Sequence, residues 1–174
     1  MSSWITRFYS DCFNNSVKIK LCIFDYDGTL TDGNVLIDNS GNILKTYHAQ
    51  DATGINNILK EKGVKTCIMT GYSPNKSVEV MAERLKIDYL YQNVENKVLQ
   101  TNTLLKNLNI NIEEVAFIGD DINDLELLKK IKISACPNNA IPLVKQSCKY
   151  LCKKAGGQGA VREFIDYLVT QRLV

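Results

Sequence analysis

Residues 20–33 read Lys20-Leu-Cys-Ile-Phe-Asp25-Tyr-Asp27-Gly28-Thr-Leu-Thr-Asp32-Gly33. The apolar run at 21–24 is typical of a strand buried on both faces of a parallel sheet. It ends in two carboxylates separated by one residue, and a glycine follows them. In open α/β sheets, ligands bind just beyond the carboxyl ends of the strands. The stretch therefore predicts a central strand whose end opens into a polar site.

The two carboxylates, Asp25 and Asp27, share a face of the strand if the extended conformation persists past residue 24. Close carboxylates repel each other unless a cation lies between them. Mg²⁺, a hard cation with oxygen ligands, is the simplest candidate. The alternative is a strand that merely ends in an Asp-Gly turn. The whole pattern Asp-x-Asp-Gly-Thr behind a buried strand favours the functional interpretation.

Length and composition exclude several classes of protein. The chain has 174 residues, of which 45% are hydrophobic and 23% charged, with a formal net charge of +2. This predicts one domain and gives no indication of nucleic-acid binding. No run approaches the ~20 apolar residues of a membrane span. Residues 1–16 lack the layout of a signal peptide, so we expect an N-terminal extension, a short amphipathic helix packed on the domain at 17–174 or on a neighbouring subunit.

The chain contains six cysteines, and they show no paired zinc-binding spacing. Cys22 and Cys67 lie within apolar, strand-like runs, where a free cysteine behaves as a small buried hydrophobe. We expect all the cysteines to be reduced and structural, which favours a cytoplasmic protein.

Strand and helix patterns alternate along the rest of the chain. After a hairpin at 35–47, strands are predicted at 65–69, 88–91, 114–118, 131–135 and 150–151, and helices at 52–62, 74–86, 94–108, 123–130, 141–147 and 161–169. The alternation predicts an α/β fold, a doubly wound parallel sheet with a β-hairpin insertion.

Polar groups follow four of these strands, and right-handed crossovers bring them to one edge of the sheet: Asp25 and Asp27, Thr70-Gly71, Lys97 at a helix start, and Asp120-Asp121. In this order they resemble the four motifs of the haloacid dehalogenase superfamily of phosphotransferases, over residues 19–165. The resemblance implies the Rossmann-like fold of that superfamily.

The resemblance also implies a mechanism. Asp25 would be the nucleophile and Asp27 the acid/base, with Mg²⁺ held by Asp25, Asp120 and the backbone carbonyl of Asp27. Thr70, the Gly71 amide and Lys97 would bind the phosphoryl group, and Gly28 would let the backbone approach it closely.

Several of these residues have ordinary structural alternatives. Lys97 could be a solvated helix lysine, and Thr70 could cap a turn. Asp121 and Asp124 could be carboxylates favoured at a helix N-terminus, or could support the metal indirectly together with Asn123.

The gaps between motifs hold one hairpin, single helices and one strand, so we expect no cap domain. Thr31–Gly33, Tyr47–Ile55 and Gly156–Glu163 resemble the capless 3-deoxy-D-manno-octulosonate 8-phosphate phosphatase family, which is similar to the 2-keto-3-deoxynononate 9-phosphate phosphatases. The resemblance implies a homotetramer with central hairpins, and a Gly156–Arg162 segment that reaches a substrate site. The candidate substrate residues are Asp32, His48, Asp51, Tyr72, Arg84 and Arg162. His48 could equally be a surface residue at a strand end.

Tyr72 departs from the family pattern, because the octulosonate enzymes usually carry arginine after Thr-Gly and the nononate enzymes glutamate. A phenol can pack on a sugar or donate one hydrogen bond, but it cannot pair bidentately with a carboxylate. Lys76, Arg84 or Arg162 could supply that cation instead. The identity of the sugar acid is therefore left open.

The leading hypothesis is therefore a Mg²⁺-dependent phosphatase of a phosphorylated 2-keto-3-deoxy sugar acid, and three other functions compete with it. The first is a phosphatase of another small phosphomonoester. The second is a phosphoaccepting receiver domain, in which the acidic pair lies on the strand before the phosphoacceptor, whereas here Asp120-Asp121 comes last. The third is a catalytically silent domain, against which the four intact motifs argue.

Overall fold

The apolar run at 21–24 forms β1 (Leu21–Phe24), and all four of its residues are buried. The computed structural model describes residues 17–174, so the predicted N-terminal extension at 1–16 lies outside the described residues. The other strands are β2 (Leu36–Ile37), β3 (Ile43–Leu44), β4 (Lys65–Met69), β5 (Tyr89–Tyr91), β6 (Val115–Ile118), β7 (Ile133–Cys136) and β8 (Tyr150–Leu151).

Six strands form one sheet in the order β5-β4-β1-β6-β7-β8, and every neighbouring pair is parallel. β2 and β3 form a separate antiparallel hairpin. Leu21 pairs with Lys65 of β4 on one side and with Val115 of β6 on the other. The predicted doubly wound parallel sheet with a hairpin insertion is confirmed.

Helices cover both faces of the sheet. They are α1 (Ala49–Thr53), which continues with wider turns through Gly54–Leu59, α2 (Lys76–Arg84), α3 (Lys97–Leu108), α4 (Leu125–Lys130), α5 (Pro142–Lys145) and α6 (Ala160–Thr170). Cys22 and Phe24 face the layer of α1, α2 and α6, while Leu21 and Ile23 face that of α3, α4 and α5. Burial on both faces explains why β1 is continuously apolar.

Several predicted boundaries differ from those of the structure, and two of them have a clear local reason. The helix expected at 74–86 begins at Lys76, because the Asn75 side chain caps it by accepting a hydrogen bond from the Ser77 amide at 2.8 Å. The strand expected at 131–135 begins at Ile133, because the Ile131 amide still donates to the Leu127 carbonyl of α4 at 3.0 Å.

Within residues 17–174, only the hairpin and α1 separate β1 from β4, and only α2 and β5 separate β4 from α3. The expectation that no cap domain interrupts this part of the chain is confirmed. No helix of the described residues combines the length and the apolar character needed to cross a membrane.

Candidate active site

The candidate site lies where β4, β1 and β6 end side by side at one edge of the sheet. Asp25 follows β1, is 4% exposed, and its amide donates to the Ile118 carbonyl of β6 at 2.9 Å. Thr70 follows β4 and is buried, and Asp120 follows β6. The topology therefore brings three of the predicted motifs together.

Three carboxylates form an acidic cluster at this edge. Asp25, Asp120 and Asp124 each place an oxygen within 4.8 Å of the others. Burial and the charge of Asp124 raise the pKa of Asp25 well above its ordinary value, and the same two causes raise the pKa of Asp120 to about 6. The Thr29 hydroxyl donates to Asp120 Oδ1 at 3.0 Å and stabilises its ionised form. The cluster therefore holds more negative charge than its surroundings accommodate easily.

Lys97 is the cation that the chain itself supplies to this cluster. It begins α3, its side chain is 2% exposed, and its ammonium donates to Asp25 Oδ1 and to Asp124 Oδ1. Burial opposes the charged ammonium, but the two carboxylates raise the pKa of Lys97 above its ordinary value. Lys97 is thus a permanently charged, fixed group next to Asp25, rather than the solvated helix lysine of the alternative interpretation.

Asp124 orients its neighbours with both of its oxygens. Oδ1 accepts from Lys97, and Oδ2 accepts from the amides of Asp120 and Asp121 at 2.9 and 3.2 Å. Asp121 is exposed and accepts from the Ile122 amide at 2.7 Å. Asp124 therefore positions the other members, while Asp25 and Asp120 are the better candidates for direct metal ligands.

This donor set fits a divalent cation. Three buried or half-buried carboxylates face one lysine, which leaves a net negative charge, and hard oxygen ligands suit Mg²⁺. The backbone at Gly28 lies so close to the Asp120 carboxylate that it leaves no room for a side chain. Its φ is +84°, and a Cβ at this position would overlap the Asp120 carboxylate.

An unpredicted residue, Asn139, holds the loop after β1 in place. Its side-chain amide donates to the Gly28 carbonyl at 3.0 Å, and its oxygen accepts from the Gly156 amide at 2.7 Å. The Gly157 amide donates to the Thr29 carbonyl at 3.1 Å. The glycine-rich segment that was expected to reach a substrate site therefore packs on the loop after β1 of its own chain.

The loop after β4 offers hydrogen-bond donors to the same edge. The Thr70 hydroxyl oxygen accepts from the Tyr72 amide at 3.1 Å, which leaves its proton for another acceptor. Asn123 lies beside this loop, since a Cβ on Gly71 would be 3.5 Å from its Nδ2. Thr70, Gly71 and Asn123 are thus brought together at this edge of the sheet.

Lys45 is the main site residue that sequence reasoning missed. It follows β3, and its Nζ lies 2.5 Å from Asp27 Oδ1 and 5.9 Å from the centroid of the Tyr72 ring. Its side chain is 3% exposed and that of Asp27 is 29% exposed. No local pattern marks Lys45, because only the fold of the hairpin brings it to the loop after β1.

The candidate substrate residues lie in several different parts of the structure. Tyr72 is exposed beside Lys45, and Asp32 is exposed and bonded to Asn34. His48 caps α1, with Nδ1 accepting from the Gln50 amide at 3.3 Å. Arg84 ends α2 and lines a cleft of about 670 Å³ between that helix and the hairpin.

Asp51 and Arg162 meet each other instead of opening toward the acidic cluster. Asp51 is buried and Oδ1 accepts from the Arg162 amide at 2.6 Å, near the start of α6. Burial raises the pKa of Asp51. Arg162 Nε pairs with Asp166 at 2.8 Å. This position is at odds with the expected contact of Asp51 with a substrate, because the carboxylate is enclosed by α1 and α6.

Comparison with known proteins assigns the family. A model of the haloacid dehalogenase-like hydrolases matches residues 90–165. The 3-deoxy-D-manno-octulosonate 8-phosphate phosphatase KdsC of Escherichia coli (strain K12) is 36% identical over 160 residues, which cover 92% of this chain and 84% of that protein.

Two solved structures share the fold. The 3-deoxy-D-manno-octulosonate 8-phosphate phosphatase from Moraxella catarrhalis, in complex with a magnesium ion, a phosphate ion and a KDO molecule, has a TM-score of 0.85 and 30% identity, covering 93% of this chain and 92% of that one. The cobalt-bound deoxy-D-mannose-octulosonate 8-phosphate phosphatase from Haemophilus influenzae has a TM-score of 0.83 and 28% identity, covering 89% and 90%. By sequence and by fold, the chain belongs to the haloacid dehalogenase-like hydrolases, in the family of the 3-deoxy-D-manno-octulosonate 8-phosphate phosphatases.

Proposed function

We propose that this chain is a Mg²⁺-dependent phosphatase of a phosphorylated 2-keto-3-deoxy sugar acid such as 3-deoxy-D-manno-octulosonate 8-phosphate. The observation that carries the proposal is the acidic cluster of Asp25, Asp120 and Asp124, with Lys97 fixed beside the proposed nucleophile. The relative from Moraxella catarrhalis, solved with magnesium, phosphate and KDO, supports both the metal and the substrate class.

The metal would be held by the carboxylates of Asp25 and Asp120 and by the backbone carbonyl of Asp27. Bound Mg²⁺ would supply neutralisation of the negative phosphate oxygens, which otherwise repel an attacking anion. Asp124 would keep Asp120 in position through the hydrogen bond from the Asp120 amide at 2.9 Å.

Asp25 would attack phosphorus in line with the bond to the leaving group. The new bond joins an Asp25 oxygen to phosphorus while the phosphorus–oxygen bond to the sugar breaks, which gives an aspartyl-phosphate. Lys97 would stabilise the charge on the phosphoryl oxygens, and the Thr70 hydroxyl and the Gly71 amide would donate hydrogen bonds to them.

Asp27 would move the proton. It would protonate the departing sugar oxygen and then accept a proton from the water that hydrolyses the aspartyl-phosphate. The partial exposure of Asp27 supports this role, because the side chain needs access to both the leaving group and water. Lys45 would hold the Asp27 carboxylate in one orientation.

The sugar would be recognised at the open rim of the site. Tyr72, exposed beside Lys45, would pack on the sugar, and a basic group at the rim would bind its carboxylate.

The hairpin exposes Val35, Leu36, Ile37 and Leu44, and we propose that these apolar side chains pack at the centre of a homotetramer. We also propose that the enzyme is cytoplasmic.

The test of the chemistry is Asp25→Asn, which keeps the size of the side chain but removes the nucleophile. Hydrolysis of p-nitrophenyl phosphate should fall by at least about 10³-fold, while circular dichroism and the melting temperature show a folded protein. EDTA should abolish wild-type activity and added Mg²⁺ restore it. Full activity of the variant would refute the mechanism.

The test of the substrate is a panel of phosphorylated sugars and sugar acids, read by release of inorganic phosphate. The octulosonate 8-phosphate should give the highest kcat/KM. A preference for neutral sugar phosphates would support the proposed phosphatase activity but refute the sugar acid as its substrate. Tyr72, where the family usually has arginine, makes this panel decisive.

A further inference from the structure

Two cysteines outside the proposed active site face each other. Cys136 is the last residue of β7 and is buried, while Cys148 follows α5 and is half-buried. Their Sγ atoms are 3.1 Å apart. No sequence pattern pairs these two residues, and all the cysteines were expected to be reduced and structural.

The backbone fixes this approach on both sides. The Lys149 amide donates to the Ser134 carbonyl at 3.0 Å, and the Cys152 amide donates to the Cys136 carbonyl at 2.9 Å. These bonds hold the segment around Cys148 against β7. To reach the length of a disulfide, the sulfur atoms would move together by about 1 Å, which rotation of the two side chains can supply.

The pair is also chemically asymmetric. The hydrogen bond between the two thiols, together with burial, raises the pKa of Cys136 far above its ordinary value. The same hydrogen bond lowers the pKa of Cys148 to about 7 against the opposing effect of burial. The half-buried Cys148 is therefore the thiolate that an oxidant reaches, and the buried Cys136 is the partner that resolves it.

We propose that Cys136 and Cys148 form a reversible intramolecular disulfide in response to a peroxide. The Cys148 thiolate attacks a peroxide oxygen, the O–O bond breaks, and hydroxide leaves to become water. The sulfur of Cys136 then attacks the Cys148 sulfenic acid, and the departing hydroxide takes the Cys136 proton. Two thiols and one hydrogen peroxide give one disulfide and two molecules of water. A dithiol then reduces the disulfide back to two thiols by thiol–disulfide exchange and is itself oxidised to a disulfide.

The segment that this disulfide closes supports the active site. It contains Asn139, which bridges Gly28 and Gly156, and Ile141, whose amide donates to the Asp120 carbonyl at 3.1 Å. A covalent bond across the ends of the segment restricts it in the unfolded chain. The oxidised protein should therefore melt at a higher temperature than the reduced protein.

The experiment is peptide mapping of the full chain after treatment with hydrogen peroxide, followed by alkylation and trypsin without reduction. Lys145 and Lys149 separate the relevant cysteines into peptides Ile133–Lys145, Gln146–Lys149 and Tyr150–Lys153. We expect the first two to be recovered joined, about 2 Da lighter than their summed mass, and to separate with dithiothreitol. The melting temperature should rise on oxidation and return on reduction.

Cys148→Ser should abolish the joined peptide and the rise in melting temperature. The matched control is Cys152→Ser, which keeps a donor to the Ala160 carbonyl and should leave both effects intact. The proposal is overturned if peroxide converts Cys148 only to sulfinic or sulfonic acid, or if Cys148 is recovered joined to Cys152 or to another chain. The wild-type map decides the question even if a variant fails to fold.

Discussion

Lys45 Nζ lies 2.5 Å from Asp27 Oδ1, so the hairpin of this chain supplies a cation to the proposed acid/base of the loop after β1. The Lys45 side chain is almost completely buried, so solvent screens this pair less than a surface pair. The hairpin therefore contributes a charged side chain to the candidate site.

Replacement of Lys45 by methionine tests this contribution. Lys45→Met keeps most of the volume but releases the Asp27 carboxylate, so we expect kcat for p-nitrophenyl phosphate to fall by about tenfold or more. Lys76→Met is the matched control, because Lys76 lines the same cleft but, among residues 17–174, pairs with Glu79 on the surface. An unchanged kcat in Lys45→Met would show that the pair has no role in turnover.

Gly28→Ala should disrupt the acidic cluster beyond the cost of backbone strain. A Cβ at Gly28 would overlap the Asp120 carboxylate, and φ is +84°. Gly63→Ala is the matched control, since φ is +72° there and no atom of the described residues lies within 4 Å of the added atom. Both variants should lose ~1–2 kcal/mol of stability from the left-handed conformation.

Only Gly28→Ala should also lose Mg²⁺-dependent activity. Chemical denaturation and titration of activity with Mg²⁺ separate the two effects. Equal activity of the two variants would mean that Asp120 tolerates displacement.

The acidic cluster should make the metal-free protein less stable as the pH rises. The pKa of Asp120 is raised from 3.8 to about 6, so the folded state binds more protons than the unfolded state between these values. Stability from this group is then present at low pH and is lost as the pH rises through about 6.

We therefore expect the melting temperature of the EDTA-treated wild type, relative to that of Asp120→Asn, to fall between pH 4 and pH 7. At neutral pH, saturating Mg²⁺ should raise the melting temperature of the wild type above that of Asp120→Asn. A difference independent of pH would contradict the raised pKa.

Arg162→Ala tests the recognition of the sugar carboxylate. Arg162 pairs with Asp166 outside the acidic cluster of its own chain, so as a rim cation it would serve the site of a neighbouring subunit in the proposed tetramer. KM for sugar-acid phosphates should then rise by about tenfold or more, while KM for p-nitrophenyl phosphate changes little. Arg84→Ala is the parallel variant, because Arg84 lies in the cleft beside the hairpin. An equal effect of Arg162→Ala on both substrates would place this side chain away from the sugar acid.

The fold and the proposed chemical groups were accessible from the sequence because each is encoded locally. The buried run before Asp25 specifies a central strand, and the polar residues at 70, 97 and 120 follow predicted strands in a parallel sheet, whose topology brings strand ends together. The convergence of Asp25 with Asp120 follows from these facts alone.

The residues that were missed or misplaced depend on contacts between distant segments. Lys45 reaches Asp27 from a hairpin whose orientation no periodicity specifies, and Asn139 bridges two loops far apart in the chain. Asp51 belongs to the stretch Tyr47–Ile55, whose resemblance to the phosphatase family predicted contact with a substrate. In the structure its carboxylate instead accepts a hydrogen bond from the Arg162 amide near the start of α6. Patterns identify residue types, whereas such contacts depend on how the layers pack.

β1 lies between β4 and β6, and the cluster around Asp25 requires Asp120 and Asp124 from the chain beyond β6. During synthesis, a nascent chain that has not yet released β6 from the ribosome has an uncovered central strand and an incomplete set of charges. A chain that ends before β6 should therefore lack both the second neighbour of the central strand and the acidic cluster.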